Sequence, residues 1–338
     1  MKIIVDAFGG DNAPEEIVQG AVAAVNGKEG FDIVLVGKEN SVREILGRCE
    51  FDTSRVSVVN AEDVIDCNDT PTEAIKNKPD SSIVVSAKML RKDEQAKAFV
   101  SAGSTGAVLA AAVLLTPRVK GILRPALAPT LPNLKGGETM LLDCGANPDV
   151  KPVNLVQFAL MGSVYMSEVM GVKNPRVALL SNGTEDKKGN LITKEAFGLL
   201  KEIKGLNFVG NMEAREILSG DYDVVVSDGF SGNIALKSLE GAVNCIFTTL
   251  KAEIKASKKA SVGALLMKGA FRKVKEKLDY NKKGGAVLLG MEKVIVKAHG
   301  SSKSEAFKNA IFQAYNAAAI NVCGKIKDNI DKISGENV

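Results

Sequence analysis

The sequence predicts an α/β protein: a doubly wound, mostly parallel sheet in an α/β/α sandwich. Three observations lead there: short apolar runs recur along the chain, each is followed by a small or polar residue with glycine, and each leads into a helical pattern. Apolar runs of this kind suit strands covered on both faces. Their alternation with helices implies parallel pairing through right-handed crossovers.

Taken in order, residues 3–5 lead to Asp6 and Gly9-Gly10, residues 33–36 to Gly37, and residues 98–100 to Ser101-Ala102-Gly103. Residues 140–142 reach Asp143-Cys144-Gly145, 177–180 reach Ser181-Asn182-Gly183, and 224–226 reach Ser227-Asp228-Gly229. The last run, 294–296, comes just before His299-Gly300-Ser301. In an open parallel sheet ligands collect outside the carboxyl ends of the strands. Those ends carry Asp6, Ser101, Asp143, Asn182, Asp228 and His299, and the active site is expected there. The same residue types are ordinary turn and N-cap residues, so the weight falls on the set rather than on any one of them.

At 338 residues the chain suits a single α/β/α catalytic domain over residues 1–338. Aromatic residues make up 5% and Trp is absent, which argues against stacking platforms for nucleic acid. Five scattered cysteines without a Cys-x-x-Cys pair fit a reducing cytosol. With one histidine, His299, and no calcium-loop spacing, neither a metal nor a cofactor is expected. The N-terminus has no apolar signal-peptide core, and the longest apolar run, 107–115, falls short of the about 20 residues a bilayer span needs. A cytoplasmic location follows as the expectation.

One segment departs from the repeating pattern. Residues 251–283 hold eleven Lys/Arg against three acids, a net +8 in a chain whose total is +4. Met267, Ala270, Phe271, Val274 and Leu278 follow helical spacing after Leu265-Leu266, so the segment reads as a basic amphipathic helical excursion. Such a stripe suits an acidic carrier protein, an anionic membrane surface at the inner face of the cell membrane, or a second subunit.

Ser101-Ala102-Gly103-Ser104-Thr105-Gly106-Ala107 ends one strand and opens a helix. Glycines allow close backbone approach, hydroxyls add donors, and a helix N-terminus contributes about half a positive charge, so the loop suits a phosphate or carboxylate. A plain capping turn is the other reading. Neither Walker A spacing nor G-x-G-x-x-G is present, and Gly229-Phe230-Ser231-Gly232 is not the G-x-S-x-G of a nucleophile elbow.

The opening Val5-Asp6-Ala7-Phe8-Gly9-Gly10-Asp11-Asn12-Ala13-Pro14 resembles the N-terminal signature of the bacterial phosphate acyltransferases of phospholipid synthesis. Later segments agree in order: the residue 101–107 loop, Arg124-Pro125-Ala126-Leu127-Ala128, Leu141-Leu142-Asp143-Cys144-Gly145-Ala146-Asn147 and Leu180-Ser181-Asn182-Gly183. Lys188-Gly189-Asn190, Asp228-Gly229-Phe230-Ser231-Gly232-Asn233 and His299-Gly300-Ser301-Ser302 complete the set, which covers residues 1 to about 325. Phe8 stands where Met is usual, and Ser104 where Asn is usual.

The resemblance implies a fold of the isocitrate dehydrogenase/phosphotransacetylase type and a homodimer. It also implies a reaction in which inorganic phosphate attacks the thioester of acyl-acyl carrier protein to give acyl phosphate. Phosphate is already nucleophilic, so binding and orienting it comes first. For phosphate and substrate binding the resemblance points to Asp6, Gly9, Gly10 and Asp11, to Ser101, Gly103, Ser104, Thr105 and Gly106, and to Asp143, Asn147, Asn182, Asp228 and Gly229. Lys188, Asn233 and His299 are the candidate catalytic residues: Lys188 for charge developing on the carbonyl oxygen, His299 for the departing thiolate. Carboxylates facing phosphate repel it, so they are expected to bond loop N–H groups or to orient Lys188 and Asn233. Other readings are a phosphotransacetylase using a coenzyme A thioester, an NAD-dependent dehydrogenase of similar layering, and a noncatalytic membrane-associated scaffold.

Overall fold

The computed structural model describes residues 1–278 and 284–335. Of the basic segment, Asp279, Lys282 and Lys283 lie outside the described residues.

The chain opens with β1 (Lys2–Asp6), α1 (Glu15–Gly27), β2 (Asp32–Gly37), α2 (Glu39–Leu46) and β3 (Val56–Asn60). Helices α3 (Pro71–Asn77) and α4 (Ser82–Lys92) precede β4 (Ala96–Ser101), α5 (Thr105–Leu115) and β5 (Ala126–Ala128). Next come β6 (Thr130–Pro132), β7 (Glu138–Leu142), α6 (Pro152–Glu168), β8 (Val177–Ser181), α7 (Leu191–Glu202), β9 (Phe208–Glu213) and β10 (Val224–Val226). A helical stretch, α8 (Gly229–Ala256), α9 (Lys258–Leu266) and α10 (Lys268–Leu278), leads to β11 (Gly285–Leu289), β12 (Val294–Ala298), α11 (Ser304–Ala319) and α12 (Val322–Gly335).

The α/β class and the predominance of parallel pairing hold, with the strands shared between two sheets. One has seven strands in the order β3-β2-β1-β4-β12-β11-β5, the other five in the order β6-β7-β10-β8-β9. The chain passes from one to the other at Pro129, which has no N–H to donate to a ladder and accepts from the Leu141 amide through its carbonyl at 3.1 Å. The antiparallel partners β5–β11 and β6–β7 sit on either side of that residue. One apolar cluster spans both sheets, joining Ile3 and Val5 through Phe158 and Met161 of α6 to Val177 and Val224.

Strand alternation sorts the first sheet's side chains. Ile3, Val5, Val100 and Val296 pack toward α1 and α11, while Ile4, Phe99 and Ile295 pack toward α4 and α5. Register then sets the carboxyl edge: Val5 pairs with Val100, Val296 with Val100, and Lys297 with Ser101. Asp6, Ser101 and Lys297 therefore form a row across β1, β4 and β12, on the face that buries Ile4, Phe99 and Ile295 and lies under the start of α5.

Candidate active site

Three loops interlock at the carboxyl edge of the first sheet. Ser101 Oγ donates to Asp6 Oδ2 at 2.6 Å, the Gly103 amide donates to Ser101 Oγ at 3.0 Å, and the Phe8 amide donates to Asp6 Oδ1 at 3.2 Å. Burial pushes the Asp6 carboxyl above its ordinary range, against hydrogen bonds from Ser101, Ser82, Phe8 and Gly9 that pull it down. Gly9 lies so close that a Cβ there would meet Asp6 Oδ2 at 2.3 Å and the Gly103 nitrogen at 2.5 Å. Gly10, at φ 101°, abuts Ala102 and the Gly300 carbonyl.

The Gly103 amide is thus occupied by Ser101. The first intrahelical bond of α5 is donated by Val108 to the Ser104 carbonyl, and the Ser104 side chain caps nothing. The amides of Thr105, Gly106 and Ala107 are the ones a helix start leaves without intrahelical partners. Thr105 is exposed and Ser104 and Gly106 are half-buried, so this turn is the accessible part of the loop.

The last loop closes the edge. The Asp11 amide donates to the Gly300 carbonyl at 2.8 Å, and Asn12 Nδ2 donates to the carbonyls of Ser301 and Ser302 at 3.1 and 3.3 Å. His299 Nδ1 accepts the Ser301 N–H at 3.2 Å. Burial pushes the imidazole pKa down; Glu240 and Asp11 oppose this, while Lys237 and Lys297 add to it. At neutral pH the ring is therefore neutral, and with Nδ1 accepting, its proton sits on Nε2 as a donor.

The second sheet's edge is organised differently. Asp143 is fully buried; it accepts from the Leu127 and Ala146 amides at 2.9 and 3.1 Å, and from the Asn147 amide and side chain at 2.6 and 2.8 Å. Burial raises its pKa while those bonds lower it. Gly232 comes so near that a Cβ would meet the Asp143 carbonyl at 2.0 Å, and one on Gly229 would meet Asn147 and Asp143 at 2.8 Å. Asp228 caps α8, accepting from the Ser231 amide at 2.7 Å and its hydroxyl at 2.8 Å. Asn182 Oδ1 accepts from the Gly189 amide at 2.9 Å, shaping a turn on which Lys188 is exposed.

Helix α8 separates these groups. Asp228, Ser231, Ala235, Ser238 and Ala242 line a pocket of about 870 Å³ with Asn182, Gly189 and Asn190. Asn233, Lys237 and Glu240 recur on the opposite face of the helix at 3.6 residues per turn. A Cβ on Gly145 would lie 3.7 Å from Asn233 Cγ, and Lys237 and Glu240 act electrostatically on His299. The structure thus brings Asp6, Gly9, Gly10, Asp11, Ser101 to Gly106 and His299 together, with the Asn233 face of α8 opposite. Lys188 and Asn182 stand on the far side of α8. A larger groove of about 1360 Å³ runs along α8 from Leu236 to Ile254, with Phe271 of α10 among the residues that line it. Among the described residues no group of three or more His, Cys, Asp or Glu is placed to hold a metal ion.

Residues 1–325 match the family described as "Fatty acid synthesis protein". A phosphate acyltransferase from Clostridium novyi is 46% identical over 332 residues, covering 98% of this chain and 99% of the relative. The chain belongs to the phosphate acyltransferase family. It is an acyltransferase, with a further relative of the same name from Bacillus licheniformis at 45% identity, covering 99% of this chain and all of the relative. A solved phosphotransacetylase from Streptococcus pyogenes shares the fold at TM-score 0.63 and 18% identity, covering 94% of each chain. Another from Staphylococcus aureus gives 0.59 and 17%, again covering 94% of each chain.

In this acyltransferase the structure adds groups that sequence reasoning missed. Lys297 is buried in the polar row with Asp6 and Ser101, and the Ser302 hydroxyl is buried without a partner among the described residues. Lys297 had a signal: it is the lone charge inside the apolar strand Val294-Ile295-Val296-Lys297-Ala298. Ser302 had none beyond its place in the His299-Gly300-Ser301-Ser302 motif.

Proposed function

We propose that this family member transfers a long-chain fatty acyl group from acyl carrier protein thioester to inorganic phosphate, giving acyl phosphate for phospholipid synthesis. The observation that carries the reading is the open first turn of α5, where accessible amides stand above the Asp6–Ser101 lock, in a chain 46% identical to a phosphate acyltransferase. Phosphate bound at Ser104, Thr105 and Gly106 attacks the thioester carbonyl, forming the C–O bond as the C–S bond breaks. His299, neutral with a donor on Nε2, and Asn233 across the cleft serve the oxyanion and departing thiolate. Lys188 is proposed as a further cation for the carbonyl oxygen. The groove beside α8 offers the apolar surface a long acyl chain needs.

The test is incubation of purified protein with labelled phosphate and acyl carrier thioester, without nucleotide or metal, followed by hydroxylamine trapping of acyl phosphate. Product from a coenzyme A thioester but not from the carrier establishes the phosphotransacetylase alternative; no product from either leaves a scaffold.

We place the protein in the cytoplasm as a homodimer, in peripheral contact with anionic membrane through residues 251–283. Val262, Leu265, Leu266 and Met267 are exposed there, interspersed with Lys258, Lys259, Lys268 and Lys273. No described helix is long and apolar enough to cross a membrane. Each cation near an anionic leaflet contributes about 1 kcal/mol, and the apolar side chains add by burial. Sedimentation with anionic but not neutral vesicles, weakened by salt and by Leu266→Glu, is the expected result; equal binding to neutral vesicles removes the electrostatic part. Light scattering at twice the chain mass tests the dimer.

A further inference from the structure

A phosphate at residues 101–106 stands near Asp6 and Asp11, and their repulsion calls for an opposite charge in the same place. Lys297 is the only lysine or arginine buried among the residues whose side chains are described. It lies beside Ser101 in the β4–β12 ladder, and its ammonium donates to the Ala102 carbonyl at 3.4 Å and to the Ala298 carbonyl. Those two peptides lead directly into Gly103 and His299, so one cation joins the anion loop to the His299 loop. An ammonium has three donors. Two are used, and the third finds no acceptor among the described residues. Nor does Lys297 form an ion pair there, although a buried cation without a counter-charge is costly.

We propose that Lys297 is the anion-binding cation of this site: its fixed ammonium holds the phosphate nucleophile at the first turn of α5. The proposal rests on the reading that phosphate binds at residues 101–106. Asp6 then keeps Ser101 and the loop in shape, Lys297 offsets the negative charge of Asp6 and Asp11, and the α5 amides fix the geometry. The charge is available only while the amine is protonated. Burial pushes Lys297 down to about 8; Cys67, Asp6 and Asp11 pull it up, and Lys237 on α8 lowers it further. His299, its own pKa lowered from the ordinary imidazole value by burial, stays neutral across the alkaline window. Phosphate affinity should therefore be full at pH 7 and fall as pH rises through about 8.

The experiment measures the Michaelis constant for phosphate from pH 7 to 9.5 in the full-length chain with acyl carrier thioester. Wild type should show an increase of about tenfold or more with its midpoint near pH 8. Lys297→Met should have that raised constant already at pH 7, a flat profile, and an unchanged constant for the acyl donor. Cys67→Ser, which removes a group that raises the Lys297 pKa, should move the wild-type midpoint down, and Lys237→Met, which removes an exposed ammonium that lowers it, should move it up. Folding is not expected to fail: a lysine whose folded pKa lies below the free value binds fewer protons folded than unfolded. Its contribution to stability thus rises with pH from about 8 toward the free-lysine range, and at pH 7 burial of the charge is destabilising. Lys297→Met should melt no lower than wild type at pH 7. Should it fail to fold, the wild type still decides, through the rise in melting temperature that sulfate gives at pH 7. Sulfate does not titrate here, so loss of that protection at pH 9.5 reports a protein group. Unaltered phosphate affinity in Lys297→Met, or sulfate protection that persists at pH 9.5, overturns the proposal. A wild type that makes no acyl phosphate overturns the reaction instead, and the sulfate measurement still tests Lys297.

Discussion

Asp6 and Asp143 occupy matching places, each at the carboxyl end of an interior strand, each buried, and each with a pKa raised by that burial. What they hold differs. Asp143 accepts four hydrogen bonds from Leu127, Ala146 and Asn147, fastening the start of the second sheet to the end of the first. Asp6 also accepts several hydrogen bonds, from Ser101, Ser82, Phe8 and Gly9, but the loop it shapes leaves the first-turn amides of α5 and one N–H of Lys297 without protein acceptors. Identical residue types at strand ends thus build architecture at one edge and hold donors in reserve at the other. The distinction lies in which donors remain unpaired, not in which residues are present.

The largest effect expected from this contrast is on stability. Asp143→Ala takes the acceptor from the buried Leu127 and Asn147 amides and the part-buried Ala146 amide, each worth about 1–3 kcal/mol when left unsatisfied, while Asn147 Nδ2 keeps the Pro125 carbonyl; it should lower the melting temperature drastically or prevent folding. A variant that melts within a few degrees of wild type breaks the contrast at its structural end. On the catalytic side, Lys188→Ala should reduce turnover by about a hundredfold, the loss typical of one oxyanion-stabilising group, with melting unchanged because Lys188 is exposed. Full turnover in that variant would confine the chemistry to the first edge and remove Lys188 from the site.

His299→Ala should cost less, on the order of tenfold, because a thiolate leaves without a proton and a neutral imidazole contributes one donor. Its loss should be the same at pH 7 and pH 8, since burial keeps the ring neutral through that range. A loss confined to lower pH would mean that the imidazolium is the active form. The smallest effect belongs to Asp228→Ala, which removes an N-cap and should cost about 1 kcal/mol in chemical denaturation with little change in turnover. A large kinetic loss there would move Asp228 from architecture into the site.

Much of this was legible in the sequence because the signals are local. Apolar runs ending in Asp6, Ser101, Asp143, Ser227 and His299 mark strands and their edges, and Gly9 and Gly10 mark a loop that must pass close to its neighbours. The division into two sheets was not, since Pro129 looks like any loop proline until β5 and β6 take different partners. Nor was the separation of Lys188 from His299, which depends on α8 standing between them. Lys297 shows why register matters: its role follows from lying beside Ser101, a partner far away in the chain. The asymmetry between Asp6 and Asp143 was hidden for the same reason, because the donors each one meets arrive from other strands.

The central claim, that the first sheet's edge is the anion-binding edge, is tested most directly by a crystal soaked in tungstate, a heavy analogue of phosphate. The anomalous density should lie within hydrogen-bonding distance, about 3 Å, of the Thr105 and Gly106 amides. Density beside Lys188 and Asn182, with none at residues 101–106, would contradict it.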